Sequence, residues 1–229
     1  MGYDRSRLMG VPLQRFTKEY TAKYVKPALD RLAGMYAVDP NDPQGRNSLR
    51  GRAEREVRYK GNQEQLKTLT NGGVKLVVVS AHADCSERCK NYQGRVYSLD
   101  GSSGRTDDGR HYEPIENATN VYFVSKSGKV WKNGLLGFNC RHRLIPYKPG
   151  LRVATPLEAQ RKKENDITAR MRQMERTVRN HKVKMQEYSG VDEHAYEQAK
   201  RAASAWLRKY YDFCKANARA IELERLKVI

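Results

Sequence analysis

Residues 74–89 read VKLVVVSAHADCSERC, and the fold turns on this stretch. Val74 to Ser80 is a short β-branched run bounded by the turn formers Asn71-Gly72-Gly73, the pattern of a buried strand. It delivers His82, Asp84 and Cys85 at its far end. Cys85 and Cys89 form a Cys-x3-Cys pair, and about fifty positions on the chain offers a second pair, Cys140 and His142, in Cys140-Arg141-His142. Thiolate sulfur and imidazole nitrogen are the donors that structural zinc takes at four tetrahedral corners, so the two pairs can pin two distant segments around one ion. If Cys140-Arg141-His142 is extended, Cys140 and His142 point to the same side. If the segment of Cys85 and Cys89 is helical, positions i and i+4 meet on one face.

Other chemistry competes for these residues. Cys85 and Cys89 as plain buried thiols is one reading, since free Cys is among the most buried residue types. A thiol nucleophile with His82 or His142 as its base is another. A third is a catalytic zinc served by His82, Asp84 or Glu87. Four good ligands close the coordination sphere, which favours a structural ion with His82 and Asp84 around it.

Outward from this centre the chain is mostly helical in pattern. Leu13, Phe16, Tyr20 and Tyr24 share a helical face, with Pro27 as a kink or restart. Asp39 to Gly45, DPNDPQG, marks a boundary. Asn47 to about Thr70 reads as a basic, mostly exposed helix. Further strands are expected at 95–98, 121–124 and 143–147, with a long loop or hairpin arm over 100–113. After a helix start at Thr155-Pro156-Leu157-Glu158, two seams alternate spacings of three and four. Ile167, Met171, Met174, Val178, His181, Met185 and Tyr188 make the first; Tyr196, Ala199, Ala203, Trp206, Tyr210, Phe213 and Asn217 make the second. A break at Ser189 to Asp192 between them predicts an antiparallel, coiled-coil-like hairpin. Cys214 falls in this pattern as core filler.

The expected fold is therefore α+β: a small, mainly antiparallel β centre with a zinc-stapled motif, N-terminal helices and a C-terminal helical hairpin. The expected divisions are an N-terminal helical arm and linker (1–44), an α+β core (45–150) and a basic helical hairpin (151–229).

Composition speaks to partners. Forty-four Lys and Arg against 26 Asp and Glu give a formal net charge of +18 in 229 residues. The excess is spread along the chain, with 17 basic and 11 acidic side chains in residues 155–229. Such a spread suits sequence-independent contact with a polyanion, double-stranded DNA first of all, and none of the common base-reading motifs is present. Charged, solvated helices would give the same composition. No apolar run reaches the roughly 18 residues of a membrane span, and no secretory signal pattern opens the chain.

The blocks SAHADCSERCKNYQGRVYSL (80–99) and GLLGFNCRHRLIPY (134–147) resemble the phage minor capsid protein family, the type 2 group related to the Mu F-like head-morphogenesis domain. The resemblance covers roughly Asn47 to Tyr147, with Tyr92-Gln93-Gly94 and Asn139-Cys140-Arg141-His142 as its most specific marks. It implies His in relatives at the place of Cys89, which points to Cys89, Cys140 and His142 as zinc ligands and leaves Cys85 and His82 competing for the fourth position. It further implies a virion protein of the capsid interior, assembled in the host cytoplasm, with portal and major capsid proteins as partners and ejection with the genome as a possible fate. A nuclease or toxin-like effector using His82 and Asp84 is the alternative from another class; a zinc-containing transcriptional regulator is a third.

Overall fold

The computed structural model describes residues 17–39, 41–124, 128, 130–132, 134–138 and 140–229. Leu13 and Phe16 of the first expected seam, and Asn139 of the second motif block, lie outside the described residues. The described chain divides into two compact units, one of residues 58–165 and one of residues 17–57 with 166–229.

The first unit is built on a five-stranded sheet. Its strands are β1 (Leu76–Val79), β2 (Val96–Ser98), β3 (Gly104–Arg105), β4 (His111–Pro114) and β7 (Leu144–Pro146), in the order β3-β4-β2-β1-β7. All neighbours are antiparallel except β2 and β4. A separate hairpin joins β5 (Tyr122–Val124) to β6 (Val130–Lys132). β1 lies inside the sheet between β2 and β7, and its Val77, Val78 and Val79 are fully buried, as a continuous β-branched run demands of a strand covered on both faces. Val77, Val79, Tyr97, Ile115, Leu135, Leu136 and Leu144 form the core with Cys85, Cys89 and Cys140.

Two short strands, β3 and β4, pair antiparallel within the segment expected to be a long loop or hairpin arm, which takes the hairpin form. Asp108 organises it: its carboxylate accepts hydrogen bonds from Thr106, from Tyr147 Oη at 2.6 Å and from Gly150 N at 3.3 Å. These bonds, the Thr106 hydroxyl first, hold its pKa down at about 2.

In α3 (Pro43–Asn71) the expectation of a mostly exposed helix is corrected. Asp42 caps its start, accepting from Gln44 N and Gly45 N at 3.0 Å, with Pro43 in the first-turn position that tolerates a missing N–H. Within the first unit, Asn62, Gln65 and Leu69 are buried at helical spacing. Asn62 and Gln65 are polar yet buried because they hydrogen-bond backbone that the sheet leaves unpaired. Gln65 donates to the Leu144 carbonyl at 3.1 Å and accepts from Leu144 N at 3.3 Å.

The second unit is helical. A π-helical turn (Thr21–Val25) precedes α2 (Lys26–Met35), with Pro27 near its start; the widened turn is the usual accommodation of a residue that cannot donate. The C-terminal helices are α5 (Glu158–Tyr188), whose later part belongs to this unit, and α6 (Glu193–Ala216). Asp192 caps α6 by accepting from Ala195 N at 2.9 Å. Met171, Met174 and Val178 pack with Tyr210 and Cys214, the pairing of an antiparallel hairpin, and the break falls at 189–192 as expected. α5 begins at Glu158, slightly later than Thr155 suggested. A short 3-10 turn, Leu223–Leu226, is tied down by cations: buried Arg50 donates to the carbonyls of Glu224 (2.8 Å) and Lys227, Arg179 to that of Arg225, and Lys182 to that of Leu226 at 3.0 Å.

Candidate metal centre

Antiparallel pairing of β1 with β7 (Val79 opposite Leu144) puts the exit of one strand beside the entry of the other. The loop carrying Cys85 and Cys89 and the segment carrying Cys140 and His142 are thereby brought side by side. Ser80 extends the junction: its N donates to the Arg143 carbonyl at 2.9 Å, and its hydroxyl accepts from Arg143 N at 2.8 Å.

Cys89, Cys140 and His142 are buried, and one donor atom from each lies within 4.8 Å of the others. Cys140 Sγ is 3.4 Å from His142 Nδ1. Zinc bonds of about 2.0–2.3 Å in a tetrahedron separate ligand atoms by roughly 3.3–3.8 Å, so these three side chains fit a zinc-type ion with little movement. Cys85 Sγ lies 3.5 Å from the opposite ring nitrogen, His142 Nε2. One imidazole offers one nitrogen to one ion, so the three-residue group and Cys85 approach His142 from different edges.

Cys85 and Cys89 do not meet on a helix. Their segment is a succession of turns, in which Cys85 N donates to the His82 carbonyl at 3.2 Å and Cys89 N to the Ser86 carbonyl at 3.0 Å. Turns let Cys89 swing towards Cys140, which a continuous helix would not.

Burial and mutual contact set the protonation of the thiols. Cys140 hydrogen-bonds Cys89 and, against the cost of burial and with help from His142, pulls its pKa down to about 4. The same bond, with burial, pushes Cys140 well up. A cation bound by such thiols displaces their protons. Burial drives the Cys85 thiol up to about 12.

His82 and Asp84 surround the group. His82 Nε2 is 2.8 Å from the Arg141 carbonyl, and its ring centroid is 4.8 Å from that of His142; burial, then the neighbouring His142, lowers its pKa to about 4. Asp84 pairs with Arg141 at 2.8 Å. The cavity enclosed by these residues is about 60 Å³. That admits an ion, whereas small-molecule sites run to about 300–1,000 Å³.

Four further residues position the centre, and reading the sequence had given none of them this role. Asn62 donates to the Cys140 carbonyl at 3.0 Å. Gln93 accepts from His82 N at 2.6 Å. Gly94 has φ +71° and its N bonds the Val79 carbonyl at 2.9 Å; a side chain there would be strained and would press on Thr155 and Val153 at 3.3 Å. Arg161, only 2% exposed, donates to the Cys85 carbonyl at 2.7 Å and pairs with Glu87 and Glu158. The motif Tyr92-Gln93-Gly94 thus has a physical content: Tyr92 packs on the core, Gln93 holds the loop that carries His82 and Cys85 and Gly94 turns the chain into β2. Arg161 sits in a run of charges that looked solvated, so spacing offered no signal for it.

Among known proteins, residues 53–215 match the family model of phage minor capsid protein 2. No curated protein and no solved structure matches the chain. No described helix is long and apolar enough to cross a membrane.

Proposed function

Because the chain belongs to the phage minor capsid protein 2 family, we propose that it is a head component of a tailed phage, lying inside the capsid or on its portal side. The family match carries this reading. Portal and major capsid proteins are its partners, it is assembled in the host cytoplasm, and packaged double-stranded DNA is the polyanion that its charge of +18 meets, through phosphates and without base reading. A protein so placed can leave with the genome.

Within this reading Cys85, Cys89, Cys140 and His142 hold a structural zinc ion. Cys89, Cys140 and His142 supply the compact group, and Cys85, whose sulfur faces the opposite ring nitrogen of His142, supplies the fourth donor after a rotation of its side chain; His82, turned to the Arg141 carbonyl, supports the group from outside. The ion contributes a cross-link and no chemistry. The small cavity of about 60 Å³ supports a staple in preference to a catalyst.

Mass spectrometry and cryo-EM of purified particles test the placement: a few copies per particle at the portal side are expected, and absence from DNA-filled heads overturns it. Elemental analysis of the purified protein tests the metal, with about one zinc per chain expected and none overturning it.

A further inference from the structure

The outer face of α6 carries a run of exposed cations opposite its buried face. Its inner face buries Ala199, Ala203, Tyr210 and Cys214. Its outer face exposes Lys200, Arg201, Arg208, Lys209 and Lys215, and no carboxylate occurs between Gln198 and Tyr211. Arg201, Arg208 and Lys215 are seven residues apart, so they form one strip along the helix at intervals of about 10.5 Å, drifting by only about 20° per step. Between the first two lie exposed Ser204 and Ala205, small enough to let a backbone come close.

Several cations elsewhere in this unit are spent internally. Arg46 pairs with Asp30 at 2.6 Å, Arg50 with Glu54 at 3.0 Å, Arg172 with Glu175 and Glu222, and Arg225 with Glu54 and Glu222. On α6, Lys200 pairs with Glu197 and Lys209 lies 4.8 Å over the Trp206 ring, but Arg201, Arg208 and Lys215 have no ion pair among the described residues. Asp212 is the single carboxylate within the strip.

We infer that this face of α6 is where the chain contacts the phosphates of duplex DNA. The inference rests on the DNA-binding reading above and names the surface that performs it. Regularly spaced cations, a stretch from Gln198 to Tyr211 without a carboxylate and no base-reading side chains suit a partner that carries one charge per about 1.7 Å of axis. Contact is positioning only, indifferent to sequence.

The test is fluorescence anisotropy of the full chain with a mixed-sequence 30-base-pair duplex between 50 and 200 mM salt, comparing wild type with Arg201→Gln/Arg208→Gln/Lys215→Gln. A control of equal charge change, Lys60→Gln/Lys67→Gln/Lys163→Gln, lies in the other unit. Each lost phosphate contact removes about 0.9 from the slope of log affinity on log salt. The α6 variant is expected to lose about 2.7 of slope and bind about 100-fold or more weakly at 50 mM salt, with an unchanged thermal midpoint, while the control loses less than about 1. Wild type without salt-dependent binding overturns the DNA reading itself. Wild-type binding with equal slopes in both variants leaves that reading standing and overturns the assignment to α6. Retained DNA binding with lost binding to poly-glutamate overturns it in favour of an acidic protein partner.

Discussion

At the level of single residues, the centre depends on sulfur and on the groups that hold it. Cys140→Ser removes a buried sulfur from the compact group, and the bound zinc measured by elemental analysis is expected to fall from about one per chain to near zero. Cys85→Ser tests the fourth position: weaker retention against a chelator is expected, and unchanged retention would pass the fourth position to another donor. Arg161 reaches the site only through the Cys85 carbonyl and Glu87. Arg161→Gln is therefore expected to keep the ligands and lower zinc affinity about 10–100-fold in chelator competition, the usual cost of losing a supporting partner. Lys at this position keeps charge but not the fork that serves a carbonyl and two carboxylates together, so Arg161→Lys should rescue only in part. The gathering of Cys89, Cys140 and His142 was legible in the sequence because Cys and His at chelating spacing have few other uses. Arg161 was not, because among the helical charges only burial distinguishes it from Lys162 and Lys163.

At the level of elements, the strand β1 was legible as a β-branched run, and β7 as an apolar segment after Cys140. Their adjacency, which makes the site, was not, since pairing is set by the whole sheet. The turn-rich loop was equally opaque: Cys-x3-Cys fits one helical face and fits two successive turns. α3 misled for a different reason. Its buried residues include Asn62 and Gln65, and polar residues on a buried stripe erase the hydrophobic period by which such a stripe is recognised. Gln65 satisfies both backbone groups of Leu144, so Gln65→Ala leaves a buried donor and acceptor unpaired. A loss of about 1–3 kcal/mol in denaturant unfolding is expected. Gly134 is a second strict position, because a Cβ there would meet the Ala118 carbonyl oxygen at 2.2 Å. Gly134→Ala is expected to lower the thermal midpoint by a comparable amount, whereas Gly101→Ser, with φ +79° but open space around it, should be milder.

At the level of the whole molecule, the motif blocks revealed the family while the chain's helical hairpin was read from seam spacing alone, and both survive in the structure because each rests on burial. The broad basic charge was legible only as a total; which cations are paired internally and which face outward required their neighbours. Metal removal is a whole-chain experiment: chelation at neutral pH should lower the midpoint of the transition that unfolds the sheet, and added zinc should restore it. A mechanical consequence follows from β1 and β7 lying antiparallel, with Val77 opposite Pro146 at one end and Val79 opposite Leu144 at the other. Tension entering the sheet through the N-terminal end of β1 and leaving through the C-terminal end of β7 is applied at the same end of the pair, so the strands part like a zipper, one rung at a time. The Cys89, Cys140 and His142 group lies at the closed end of that zipper. With an ion bridging Cys89 to Cys140, the intervening stretch is shielded from load, and the extension of a pulled chain should fall short by about 170–180 Å, at roughly 3.3–3.6 Å per residue; chelation in an optical trap should release that length in a single step.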